Sequence, residues 1–117
     1  MSESNSVPPR FQAALDRLDG DLALLRQMAS ITTEDLPSTV QQIEQAIETQ
    51  NAEQAAKSLH RLKGMLSTFE TDGVMLGVQD LLDTARDGTA ETLTTGFAKL
   101  RAEIDSLIQA IADLSED

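Results

Sequence analysis

The chain contains no cysteine, tryptophan or tyrosine, and it has one histidine among 117 residues. Without cysteine neither a disulfide nor a thiolate metal site can form, and one histidine leaves too few ligands for a structural zinc site. We therefore expect no bound metal. A glycine-rich phosphate loop is also missing, so the sequence offers no recognisable nucleotide-binding motif.

Long apolar runs are missing as well. The longest uninterrupted run is four residues, Leu22 to Leu25, whereas a membrane span needs roughly 20. Residues 2–6 are polar, and residues 1–6 lack the basic and apolar regions of a signal peptide. These absences predict a chain that does not enter the membrane, and the cytoplasm is the expected location.

Positive charge is scarce: the chain has nine Lys and Arg residues but twenty Asp and Glu residues, and its formal net charge is −11. Nucleic acids and anionic membranes both attract proteins through a basic surface. Neither is therefore expected as a partner. The charge balance fits a chain that meets other proteins.

The residues that are abundant favour helices. The length is that of one domain, and 40% of the residues are hydrophobic, which is enough for a core. Ala, Leu, Gln and Glu dominate, and all four are good helix formers. Residues 1–7 are predicted to be a flexible tail, and residues 8–117 to be one all-α domain.

Apolar residues recur at helical spacing in five stretches. A short helix should follow Pro8, and the later stripes cover residues 22–47, 55–69, 74–85 and 93–114. Pro37 interrupts the second stripe, which we interpret as one long helix kinked near residues 32–36, although two helices remain an alternative. Asn51 and Gln54 resemble a capping box at the start of the third helix. The expected architecture is an antiparallel four-helix bundle with a short additional N-terminal helix across one end.

The single histidine, His60, lies in the segment Leu59-His60-Arg61-Leu62-Lys63-Gly64. On a helix, residues three and four positions apart are neighbours, so Lys63 and Gly64 should adjoin His60. The apolar stripe falls on the opposite side of this helix, so the imidazole is predicted to face solvent. A glycine inside a helix costs about 1 kcal/mol relative to alanine. One reason to keep Gly64 is that it lets a bulky partner reach the ring.

Three of the nine cations, Lys57, Arg61 and Lys63, fall within seven residues around His60. Imidazole is nucleophilic near neutral pH and can accept a phosphoryl group covalently. Nearby cations would stabilise the charge of that group during transfer. The alternative is an ordinary surface histidine, with cations that merely pair with Glu53 or other acids.

The arrangement His60-x-x-Lys63-Gly64 on the third helix of an acidic bundle resembles a histidine-containing phosphotransfer (HPt) domain of bacterial phosphorelays. The resemblance extends over nearly the whole chain. Further matching segments are residues 20–26, at the start of the second helix, residues 46–52, at the turn before the histidine helix, and residues 81–86, on the following helix.

The resemblance implies a phosphohistidine carrier without autonomous kinase activity. It would accept a phosphoryl group on His60 from the aspartyl-phosphate of a receiver domain and pass it to another response-regulator receiver. Lys63 would neutralise the incoming group and Gly64 would leave room for the receiver. The implied partners are receiver domains and a hybrid sensor histidine kinase. Mg²⁺ would belong to the receiver, so the chain would need no cofactor, and we expect it to act as a monomer.

Several residues depart from the family pattern. Met65 and Leu66 follow Gly64 where small residues are common, and residues 69–71 replace a frequent Leu-Gly-Ala. Leu82 aligns where many members have a Gln or Glu that helps orient the histidine. Gln79, one turn earlier, is the candidate substitute.

Two acidic pairs and two serines carry a less specific signal. The acidic pairs Glu34-Asp35 and Asp80/Asp83 are interpreted as solvated helix faces or caps. Ser58 and Ser67 lie near His60 without a convincing catalytic-triad context, and Ser67 is expected to line the docking face with Lys57 and Arg61.

Two rival functions remain open at this point. One is a noncatalytic helical adaptor that binds a receiver or kinase without carrying phosphate. The other is a domain phosphorylated by ATP within a chemotaxis-type kinase, although this chain contains no catalytic domain. An exposed His-Lys-Gly arrangement weighs against the adaptor, because docking alone does not require it.

Overall fold

The structure is a computed structural model, and it describes residues 7–115. Within that range the regular elements are all helical, which confirms the predicted all-α class. A 3₁₀ turn at Pro9–Phe11 is followed by α1 (Gln12–Arg17), α2 (Leu22–Glu48), α3 (Ala52–Leu66), α4 (Val74–Asp87) and α5 (Ala90–Ser115). Of the predicted tail, residues 1–6 lie outside the described residues, and Val7 packs against the core.

The four longer helices form the predicted bundle. Helices α2 and α4 each pack against both α3 and α5, so the four helices surround one core. The connections between successive helices are short, and short connections make neighbouring helices antiparallel. The result is an elongated molecule of 52 × 22 × 20 Å.

Helix α2 runs without a break through Pro37, so the prediction of one long helix is confirmed and the alternative of two helices is wrong. Pro37 lies on the exposed side of α2, while Leu36 and Val40 beside it are buried in the core. Proline removes one backbone hydrogen bond from a helix. Burial of the apolar residues on either side offsets that loss.

The short helix α1 closes the end of the bundle where α3 stops and α4 begins. The Phe11 ring is fully buried and packs edge to face on Phe69, with 6.1 Å between the ring centres. Arg10 donates to Glu70 at 3.0 Å, and the other Glu70 oxygen accepts from the backbone N–H of Val74 at 3.1 Å. Glu70 therefore links the 3₁₀ turn that precedes α1 to the first turn of α4, which gives a structural reason for an acidic residue there.

Helix α5 is held against α2 by an ion pair and lies close to α4 at a glycine. The Arg101 guanidinium of α5 donates to Glu44 of α2 and to Asp105 of its own helix. The hydrogen bond with Glu44, followed by that with Asp105, raises the pKa of Arg101 above its ordinary value, so the group stays charged. Helices α4 and α5 pack closely at Gly77 of α4, where an added Cβ would lie 2.6 Å from Cδ1 of Leu100 in α5.

Candidate functional site

The N-terminal cap of α3 sets where its histidine falls. Asn51 Oδ1 accepts from the backbone N–H of Gln54 at 3.0 Å, as the predicted capping box requires. The reciprocal bond is not formed, because the Gln54 side chain donates to Ser58 Oγ at 3.2 Å and the Asn51 N–H donates to Ala46. The prediction was therefore right for the cap and wrong for the box. Ser58 is 2% exposed and belongs to the core side of α3.

The apolar stripe of α3 faces the core as predicted. Its fully buried members are Ala55, Leu59, Leu62 and Leu66. Burying one such leucine stabilises the fold by about 1.5–3 kcal/mol, so this stripe fixes the rotation of α3 about its own axis. His60 then lies on the exposed side. Within residues 7–115 no hydrogen bond is made by its imidazole, so both ring nitrogens are available to an incoming group.

Lys57 and Arg61 are exposed on α3 beside His60. Within the described part of the chain, neither makes an ion pair, and Glu53 forms no salt bridge with Lys57. The interpretation that these cations are occupied by neighbouring acids is therefore wrong for the described residues. Their charge remains directed at solvent, in a protein whose net charge is −11.

Gly64 is exposed, and among residues 7–115 a Cβ added there would meet no atom within 4 Å beyond its own stretch of helix backbone. No packing contact therefore requires glycine at this position. Its φ lies outside the left-handed region as well, so no backbone conformation requires it either. Gly64 leaves a bare strip of helix next to His60, where a second protein could approach closely.

Lys63 points to the α4 side of His60 and is partly buried. Its ammonium donates to Gln79 Oε1 of α4 at 2.5 Å, and Gln79 Nε2 donates to Asp83 Oδ1 at 3.0 Å. Gln79 was the candidate to orient His60, but both ends of its amide are engaged by Lys63 and Asp83 instead. Gln79 thus belongs to the site through Lys63, which corrects the sequence interpretation.

The departures from the family pattern are accounted for by packing. Leu82 is 1% exposed and forms part of the core, so its position offers no polar group to the histidine. Leu66 is buried, and Met65 is a partly buried core-edge residue whose Sδ accepts from Thr39 Oγ1 at 3.4 Å. Ser67 is exposed, and its hydroxyl donates to the carbonyl of Gly64 at 2.9 Å.

Asp83 is a residue of the site that the sequence interpretation, a solvated helix face or cap, does not indicate. Asp83 is indeed exposed, but it is also the acceptor that engages Gln79. The spacing of Gln79 and Asp83 could have indicated this bond, because residues four apart on a helix are neighbours and a Gln–Asp pair can form a hydrogen bond there. What the sequence did not reveal was that Lys63 of the preceding helix would reach the same amide.

The site contains no preformed metal position among the residues described. No group of three His, Asp or Glu residues there could hold a metal ion. None of the helices between residues 7 and 115 is long and apolar enough to cross a membrane.

Fold and site together define a class: a four-helix bundle with an exposed histidine flanked by cations and a bare glycine. Comparison with known families agrees, because the family model of the Hpt domain matches residues 27–113. The match spans well over half of the chain, from within α2 to near the end of α5. The chain belongs to the Hpt domain family, and so has a phosphotransfer role in two-component signalling. No curated protein and no solved structure gave a significant match.

Proposed function

We propose that the chain is a phosphorelay intermediate. It accepts a phosphoryl group on His60 from the aspartyl-phosphate of a receiver domain and passes it to a second response-regulator receiver. The observation that carries the proposal is the exposed imidazole of His60, which makes no hydrogen bond among residues 7–115 and lies one helical turn from both Lys63 and the open strip at Gly64.

The chemistry needs only one group from this chain to react. The unprotonated nitrogen of the neutral imidazole attacks phosphorus, and an N–P bond forms while the P–O bond to the receiver aspartate breaks. The aspartate leaves as a carboxylate with the electron pair, and the ring carries the positive charge until its other nitrogen loses a proton. Such transfers depend on alignment and on stabilisation of charge at the phosphoryl oxygens.

The neighbouring residues then have separate roles. Lys63 neutralises charge on the phosphoryl group, because it adjoins His60 one turn along the helix. Gly64 gives the receiver access to the ring. Lys57, Arg61 and Ser67 line the docking face. Lys57 and Arg61 make no ion pair within residues 7–115, and their charge attracts an acidic partner surface.

The partners in this proposal are response-regulator receivers and a hybrid sensor histidine kinase. Mg²⁺ accompanies the receiver, whose own acidic residues bind it, and this chain supplies no cofactor. The chain is a carrier and starts no phosphorylation itself. Its predicted cytoplasmic location and monomeric state remain predictions.

Three incubations separate the proposal from its rivals. The full chain is mixed with ³²P-labelled receiver domains, with a hybrid kinase lacking its own HPt domain, and with an isolated kinase catalytic domain plus labelled ATP. A relay intermediate takes label from receivers. A noncatalytic adaptor binds a receiver but takes no label in any incubation, and a chemotaxis-type domain takes label directly from the catalytic domain. Either of the last two results would contradict the proposed function.

A further inference from the structure

The amide of Gln79 connects two charged groups of opposite sign. Its oxygen accepts from the Lys63 ammonium at 2.5 Å, and its nitrogen donates to the Asp83 carboxylate at 3.0 Å. An ammonium can only donate and a carboxylate can only accept. The Asp83 carboxylate therefore favours the amide orientation that presents Oε1 to Lys63, and the opposite orientation would place donor against donor and acceptor against acceptor.

We infer that Gln79 and Asp83 are positioning residues for phosphoryl transfer, an inference that rests on the proposed function. They hold the Lys63 ammonium at the edge of α4 next to His60. Lysine has one of the largest side-chain entropies, and a charge that is already fixed needs no ordering when the phosphoryl group arrives. Lys57 and Arg61 have no such partner among residues 7–115, so Lys63 is the cation beside His60 that is prepared in this way.

The chemistry of the amide also matters. Gln79 uses one of the three N–H donors of Lys63, which leaves two for phosphoryl oxygens. The neutral amide of Gln79 holds the ammonium without cancelling its charge. The negatively charged Asp83 bonds to the other end of that amide, so it does not contact Lys63 directly. A carboxylate at position 79 would bind Lys63 more strongly and neutralise it. Gln79→Glu should therefore slow phosphorylation of His60, whereas a merely structural role predicts no loss.

The test uses phosphoramidate, a small donor that phosphorylates histidine by releasing ammonia and needs no docking. Asp83→Ala is compared with Asp80→Ala, which removes the same charge from the same helix at a position whose side chain makes no hydrogen bond or ion pair within the described residues. We expect Asp83→Ala to slow labelling of His60 by about threefold to tenfold, the size of one lost hydrogen bond. Asp80→Ala should leave the rate unchanged, and Asp83→Asn, which keeps an acceptor oxygen, should restore most of it.

The decisive arm repeats Asp83→Ala in a Lys63→Ala background. If Asp83 acts only through Lys63, the second substitution should have no further effect. An equal loss in both backgrounds, an equal loss in Asp80→Ala, or no loss at all would overturn the inference.

A second measurement does not depend on transfer. The ¹⁵N-lysine ammonium signal of Lys63 should be protected from exchange with water in the wild type and in Asp80→Ala. It should lose that protection in Gln79→Ala and Asp83→Ala. An unchanged signal in Asp83→Ala would overturn the positioning inference while leaving the proposed function intact. A wild type that takes no label on His60 from a receiver would instead contradict the proposed function.

Discussion

Replacing Gly64 with glutamine separates access from packing more sharply than any other single change. If glycine is kept there only so that a receiver can reach His60, a large side chain should spare the fold and harm the transfer. If glycine is kept for packing, a large side chain should instead destabilise the fold and leave transfer by the folded protein unchanged. The structure favours the first alternative, because a Cβ at Gly64 would touch no other part of the described chain within 4 Å.

The expected change in stability follows from helix propensity. Glycine is less favourable than glutamine in a helix interior by about 0.5 kcal/mol, and Gly64 lies two residues before Leu66, the last residue of α3, where the effect is smaller. Gly64→Gln should therefore raise the free energy of unfolding by at most about 0.5 kcal/mol, or by about 1–3 °C in melting temperature for a domain of this size. Transfer from a receiver should fall at least about tenfold, which corresponds to about 1.4 kcal/mol.

Gly77 provides the matched control. A Cβ there would lie 2.6 Å from Leu100 Cδ1 and 3.1 Å from Cδ2, so the Leu100 side chain would have to move. Overpacking of this kind typically costs about 1–3 kcal/mol, which offsets the helix-propensity gain of about 1 kcal/mol from glycine to alanine inside α4. Gly77→Ala should therefore fail to gain the stability that helix propensity alone predicts, while its folded fraction transfers normally.

The assay is thermal melting and receiver phosphotransfer on the same preparations, with Gly64→Ala as an intermediate size. Transfer should decrease in the order Gly, Ala, Gln at position 64. A destabilised Gly64→Gln protein whose folded fraction transfers at the wild-type rate would refute the access argument.

Two further predictions concern single contacts. Lys63→Ala should slow transfer by about 1.5–3 kcal/mol in activation free energy, the value of a charge-assisted contact, with little change in receiver affinity. Lys57→Ala should do less, and equal rates for Lys63→Ala and wild type would remove the role given to Lys63. Glu70→Ala should lower the free energy of unfolding by about 1–2 kcal/mol, because it breaks the bonds to Arg10 and Val74. Urea melts should show this loss, with exposed Glu103→Ala as the neutral control, and a loss shared by both variants would count against the proposed link.

The fold was predictable because its signals are local and repeated. Stripes such as that of α3 specify both the helix and the face it buries, and Asp21 and Asn51 mark helix starts through caps that the structure contains. The continuity of α2 through Pro37 was harder to predict, because the low helix propensity of proline favours a break there. It is decided by burial of Leu36 and Val40, which is a tertiary effect.

The site was predictable only along α3. The exposure of His60 and Gly64 follows from the position of the apolar stripe on that one helix. Contacts across helices do not follow from spacing. For this reason the sequence could only offer Gln79 as a candidate to orient His60, whereas the structure joins it to Lys63 and Asp83. Whether an amide on α4 reaches Lys63 or His60 depends on how the two helices align.

The central claim is that His60 carries the phosphoryl group, and the most direct measurement compares labelling of wild type and His60→Gln by a ³²P-labelled receiver. His60 is exposed and fills no part of the core, so the substitution should leave the melting temperature nearly unchanged. The account predicts acid-labile label on the wild type, located on His60 by mass spectrometry, and no label on the variant. A folded His60→Gln protein that accepts label at the wild-type rate would contradict it.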